Sequence, residues 1–165
     1  MSVARSTELR REPFKSSNIA EPRTSGEEEY ERNPWKDATP EKWNDWRWQL
    51  KHRVTRAEQL KLILNLSQEE IEAIEASKGR LATAITPYFA KLMDRQDSNC
   101  PIRRQAIPTL NEFHLSPADL RDPCAEDENS PVPHLVHRYP DRVLLLVTDK
   151  CAVYCRYCTR RRMVG

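Results

Sequence analysis

The sequence predicts an α/β fold in which a helical N-terminal region leads into the first strand of a parallel sheet. Three observations predict it. Capped stretches with apolar residues at helical spacing run between residues 40 and 120. A continuous apolar run, Val143-Leu144-Leu145-Leu146-Val147, follows without alternation, as in a strand buried on both faces. Three of the five cysteines then crowd into residues 151–158, just past the end of that strand.

Taken in order, residues 1–33 are polar and carry interleaved charge, as in Arg10-Arg11-Glu12 and Glu27-Glu28-Glu29. Little there can form a core, so they read as a mobile tail, with a targeting or partner-binding arm as the alternative. The helical region spans 34–122. Thr39-Pro40-Glu41 fits an N-cap followed by proline at the first helical position. Trp43, Trp46 and Leu50 then share one helical face, reading as core or subunit packing, as does Trp48. Thr55-Arg56-Ala57-Glu58 and Ser67-Gln68-Glu69-Glu70 both fit the capping box and open helices that turn Leu60, Ile63, Leu64 and then Ile71, Ile74 inward. Gly79 suits a left-handed stop. Thr86-Pro87 starts a helix with Tyr88, Phe89, Leu92 and Met93 on its buried side, and Ser116-Pro117-Ala118-Asp119 starts a last short one.

Residues 123–141 carry Pro123, Pro131, Pro133 and Pro140 and read as an extended connector. Residues 142–165 are the start of the sheet. A parallel strand needs parallel neighbours, and these are expected beyond Gly165, so the chain reads as a truncated part of a longer protein.

Composition narrows the function. With 27 basic and 25 acidic residues the net charge is +2, which gives no global footprint for nucleic acid or membrane. No apolar run approaches the roughly 20 residues of a membrane span, and the first 30 residues lack the apolar core of a secretory signal. Five cysteines, three of them clustered, do not make a disulfide framework; they point to a reducing, cytoplasmic setting and to metal. Cys100 and Cys124 stand apart and read as unpaired small side chains, and the four histidines show no metal-ligand spacing.

Cys151, Cys155 and Cys158 have the spacing C-x3-C-x2-C. Three thiolates this close can hold one inorganic centre, yet a closed zinc site or a fully protein-ligated cubane takes four ligands. Three therefore leave one iron open to a substrate or cofactor. The position past a strand's carboxyl end is where ligands bind in parallel α/β folds. A zinc site completed by a distant residue, or cysteines that merely share a loop, remain the alternatives.

This motif resembles that of the radical S-adenosylmethionine (SAM) enzymes. The flanking residues resemble the lysine 2,3-aminomutase family in particular: Trp43-Asn44-Asp45-Trp46-Arg47-Trp48-Gln49-Leu50, Gln105-Ala106-Ile107-Pro108-Thr109, the approach from Glu126-Asp127 to Pro133, His137-Arg138-Tyr139-Pro140-Asp141-Arg142-Val143, and Thr159-Arg160-Arg161-Arg162. The resemblance covers roughly residues 35–165.

It implies a partial (β/α) barrel, of which this chain holds the first strand and the cluster loop. It also implies an isomerase that moves the α-amino group of L-lysine to the β-carbon. The cofactors would be a 4Fe–4S cluster, SAM cleaved to a 5′-deoxyadenosyl radical, and pyridoxal 5′-phosphate (PLP). In that family the three cysteines hold the cluster and the aromatic before the last one, here Tyr157, lies near the SAM adenine; simple packing against the loop is its alternative. Arg160 would hold the substrate carboxylate, a task that suits a planar guanidinium, while Arg161 and Arg162 read as a solvated face. Arg138, Tyr139 and Arg142 would contact PLP or line the active-site wall, with ion pairs to Asp141 or the acidic connector as the alternative. No catalytic residue falls within the chain, because the PLP lysine and most SAM contacts belong elsewhere in the family's barrel, so residues 1–165 alone are expected to be inactive. The expected partners are a small amino-acid substrate, an electron donor such as flavodoxin or ferredoxin, and further copies of the full-length chain. Glutamate 2,3-aminomutases and the relatives that modify a translation factor share the architecture. An inert cluster- or zinc-binding fragment is the reading from another class.

Overall fold

The structure is a computed structural model and describes residues 33–165. All but the last residue of the tail read over 1–33 therefore lie outside the described residues. The helical region is a set of short helices rather than a few long ones.

Helix α1 (Pro40–Asn44) opens as its sequence predicts, with Pro40 in its first turn and the Thr39 hydroxyl accepting from the Lys42 N–H. Asp45 is extended and ends it, and its carboxylate accepts from the Arg47 N–H at 2.9 Å to open α2 (Trp46–Lys51). One expected helix is thus two. The break resets the helical phase, so Trp43 packs on the core while Trp46 is 61% exposed beneath the Arg47 guanidinium.

Helix α3 (Ala57–Leu60) starts one residue later than its expected capping box, with Arg56 as an N-cap that makes no side-chain bond. The Gln59 side chain instead accepts from the Thr55 N–H. The second capping box is present. Ser67 Oγ accepts from the Glu70 N–H at 3.1 Å, and Glu70 Oε2 accepts from the Ser67 N–H at 2.8 Å, opening α4 (Gln68–Ala76). Gly79 stands past its end with φ +78°, the left-handed stop. Thr86 and Pro87 open α5 (Pro87–Lys91). Met93 is buried behind it, but Tyr88 faces solvent.

A helix that sequence periodicity did not announce, α6 (Pro101–Ala106), follows, and then a 3-10 turn (Leu110–Phe113). The segment at 116–119 is a turn and not a helix. Asp119 accepts from the Ser116 N–H and Ser116 Oγ from the Ala118 N–H, so local side-chain bonds satisfy the backbone without helical ones.

The core gathers Trp35, Val54, Leu60, Leu64, Ile74, Ile85, Met93 and Ile107 from these elements. Beside it lies an ion pair. Arg103, fully buried, donates through Nε and Nη2 to both carboxylate oxygens of Glu70 (2.9 and 2.6 Å). Its remaining donors reach the carbonyls of Asn65, Asp94 and Arg95. All five guanidinium donors are used, as a buried arginine requires.

The strand at the end of the chain is corrected by the structure. β1 (Leu135–Tyr139) and β2 (Arg142–Leu145) form an antiparallel hairpin with Leu135 opposite Leu145, Val136 opposite Leu144 and Tyr139 opposite Arg142. One edge of β2 is therefore paired, by residues read from sequence as part of the proline-rich connector. Nor is the strand buried on both faces: Val143, Leu145 and Val147 are exposed, Val147 at 81%, because nothing among the described residues covers them.

Candidate cluster-binding site

The three-residue gap between Cys151 and Cys155 is Ala152-Val153-Tyr154, and this gap docks the loop on the helical body. Thr86 N–H donates to the Ala152 carbonyl (3.1 Å), Tyr154 N–H to the Ala84 carbonyl (3.0 Å), and Ile85 bridges Val153 on one side and Val54 on the other. Val153 packs on the main core, and Tyr154 is buried in a smaller cluster with Leu81 and Ala84. Arg53 reaches from the end of α2 to the Cys151 carbonyl at 2.8 Å. An apolar pair between two cysteines thus anchors the segment from which they project.

The second gap, Arg156-Tyr157, is pinned from another side. The Arg156 N–H donates to the Gln105 carbonyl at 2.8 Å, and Tyr157 Oη to Gln105 Oε1 at 3.2 Å. Arg156, its side chain only 8% exposed, spans both Glu112 oxygens and the Leu81 carbonyl. Neither Glu112 nor Gln105 was singled out as a candidate from the sequence. The available signal was a charged residue enclosed between two cysteines, with no acid nearby in sequence to pair it.

Cys151 is exposed, and Cys155 and Cys158 are half-buried. The Cys155 thiol is held above its usual pKa, first by desolvation and then by the neighbouring Cys158 and Cys151 sulfurs. Among the described residues, no three His, Cys, Asp or Glu side chains are grouped to hold a single metal ion. A cubane places each thiolate on its own iron, so its ligands stand further apart than those of one ion. Three cysteines on one anchored loop are a donor set that fits an iron–sulfur cluster.

Past Cys158 the arginines turn back on the connector. Arg160 donates through Nε to Glu126 Oε1 (2.7 Å), with Nη2 at the same distance. Its Nη1 has no partner among the described residues. Arg161 is exposed, as expected of a solvated face. Arg162 is not: it pairs with Asp122 Oδ1 at 2.8 Å and Asp127 Oδ1 at 2.9 Å, with Glu126 Oε2 at 3.8 Å. Asp122, at the end of the helical region, and the connector residues Glu126 and Asp127 supply the counter-charges that enclose it. The Asp127 N–H is the main cause that holds the Asp122 carboxyl down at about 2, with Arg162 adding to it. Arg162 Nε and Nη2, Asp122 Oδ1 and Glu126 Oε2 are buried without a well-directed hydrogen bond.

Arg138, Tyr139 and Arg142 sit on the hairpin, where Arg142 pairs with Asp141 and lies over the Tyr139 ring, and Arg138 donates to the Cys124 carbonyl. Tyr157 is 68% exposed, its ring open to solvent beside the cysteines.

No protein-family model matches the chain. Curated relatives do. It is 57% identical over 129 residues to the L-lysine 2,3-aminomutase of Fusobacterium nucleatum, a match that covers 78% of this chain and 30% of that protein. It is 53% identical over 131 residues to the L-lysine 2,3-aminomutase of Bacillus subtilis, covering 79% of this chain and 28% of that one. It is also 40% identical over 129 residues to the glutamate 2,3-aminomutase of Clostridioides difficile, covering 78% and 30%. The class of relatives is thus amino-acid 2,3-aminomutases. Within it, the chain resembles the L-lysine 2,3-aminomutases, with 50–57% identity to four of them over about three quarters of its own length. It spans less than a third of the length of the relatives named here. No helix among the described residues is long and apolar enough to cross a membrane.

Proposed function

We propose that these residues form the cluster-bearing N-terminal part of a radical SAM, PLP-dependent isomerase that converts L-lysine to β-lysine. The observation that carries this reading is the C-x3-C-x2-C loop, each gap of which is bonded to the helical body, in a chain that resembles the L-lysine 2,3-aminomutases. Lysine is preferred to glutamate as substrate because identity to the lysine enzymes reaches 57% against 40% for the glutamate enzyme.

When bound, the 4Fe–4S cluster, SAM and PLP supply electron transfer, a carbon radical and a carrier for the migrating amino group. The chain's own residues hold and orient. Cys151, Cys155 and Cys158 donate three thiolates and leave one iron position open. Tyr157 offers an exposed aromatic face for the adenine. Arg160 keeps Nη1 available while Glu126 fixes the rest of its guanidinium, which orients one donor edge toward a carboxylate. Arg138, Tyr139 and Arg142 contribute the hairpin wall of the PLP site. An electron donor such as flavodoxin or ferredoxin, a cytoplasmic location and self-association of the whole protein complete the reading.

The test is product analysis on the whole protein under anaerobic conditions with SAM, PLP and a reductant. β-Lysine from L-lysine is expected. β-Glutamate from L-glutamate instead would shift the reading to the glutamate branch, and no amino shift on either would refute it. Arg160→Lys keeps the charge and loses the fork, worth roughly 1.5–3 kcal/mol, so KM for lysine should rise about 10- to 150-fold.

A further inference from the structure

Arg156 has no assigned role in the chemistry above, yet it is the most heavily bonded side chain of the cysteine loop. Its guanidinium meets Glu112 through three contacts of 2.7–3.1 Å and the Leu81 carbonyl at 2.9 Å, across separations of 44 and 75 residues. It occupies the position immediately after Cys155 and two before Cys158. The backbone between those two cysteines therefore passes through a residue that is fixed on the helical body.

We propose that the Arg156–Glu112 ion pair is a positioning element for the cluster: it sets the spacing of Cys155 and Cys158 and keeps a cation beside them electrically neutral. The proposal rests on the iron–sulfur reading of the three cysteines. Two physical consequences follow. Ligand-orienting partners outside the coordination sphere typically govern metal affinity by about 10- to 100-fold. An arginine beside a cluster, once deprived of its counter-charge, favours the reduced and more negative cluster, since the uncompensated cation lies in a poorly solvated setting. Glu112 thus does two things at once. It fixes the fork geometrically, and it cancels a charge that would otherwise make the cluster easier to reduce.

The helical body is then a template for the loop and not merely an adjoining layer. Gln105 supports the same gap from α6, taking the Arg156 N–H on its carbonyl and the Tyr157 hydroxyl on its side chain. The 3-10 turn that carries Glu112 is stabilised by the same carboxylate, which also accepts from the Thr109 N–H at 3.1 Å. One acid therefore closes a local turn and holds a residue of the cluster loop.

The experiment uses the whole protein, reconstituted anaerobically, in three forms: unaltered, Glu112→Gln, and the double variant Arg156→Met/Glu112→Leu. Iron release to a chelator and the cluster's reduction potential are measured on each, with circular dichroism as the check on folding. Glu112→Gln is expected to lose iron about 10- to 100-fold faster and to shift the potential upward. The double variant replaces a buried pair by apolar groups, which folded proteins commonly tolerate. It should lose iron as fast, with a potential closer to that of the unaltered protein because no lone cation remains. If Glu112→Gln does not fold, the double variant carries the test through its iron release alone. Unaltered iron release in whichever variants fold, or no upward shift in a folded Glu112→Gln, would overturn the proposal. Failure of the unaltered protein to hold iron would overturn the cluster reading itself.

Discussion

Two arginine–carboxylate centres in this chain use the same chemistry to different ends. In the helical body, Arg103 lies against Glu70 with all five donors bonded and both carboxylate oxygens engaged. At the end of the cluster loop, Arg162 is enclosed by Asp122, Asp127 and Glu126, yet two of its nitrogens and two of the facing oxygens lack a well-directed bond. A fully satisfied buried pair rigidifies one arrangement; a partly satisfied one is the more readily rearranged. The first centre staples the scaffold. The second joins the connector to residues around Arg160, where the substrate is proposed to bind.

That contrast is most exposed to failure at Arg103. Arg103→Met removes one partner of the buried pair and leaves Glu70 without its counter-ion, a change that costs roughly 3–5 kcal/mol. Urea unfolding followed by circular dichroism should show a correspondingly lower midpoint. A loss below about 1 kcal/mol would mean that this pair resembles an exposed one.

A smaller and more local effect is expected at the second centre. Arg162→Lys keeps a charge but cannot span Asp122 and Asp127 together. Limited proteolysis should cut the 122–127 segment faster, while the unfolding midpoint of the helical body stays in place. An unchanged cleavage rate would return Arg162 to the solvated face expected from its sequence, and a falling midpoint would merge the two centres into one cooperative unit.

What the sequence disclosed, and what it hid, follows the range of each interaction. The Ser67–Glu70 capping box was legible because both partners sit within four residues, and so were the helix starts at Thr39-Pro40 and Thr86-Pro87. The proposal for the three cysteines could be made from sequence because their spacing alone suggests it. Arg103–Glu70 and Arg156–Glu112 were not, since 33 and 44 residues separate the partners and nothing local marks them. Trp46 was misplaced because Asp45 interrupts a periodicity that otherwise reads through. The hairpin was missed for a related reason: Leu135–Tyr139 is a short strand set among prolines, and its pairing depends on a turn at Pro140-Asp141.

The claim on which the rest depends is that Cys151, Cys155 and Cys158 hold a cubane with one iron open. Anaerobic reconstitution of the whole protein, followed by iron and sulfide analysis and by EPR of the reduced form with and without SAM, measures this directly. About four irons and four sulfides per chain are expected, with an EPR spectrum that changes when SAM is added. Stoichiometric zinc without iron–sulfur absorption, or a cluster whose spectrum ignores SAM, would contradict it.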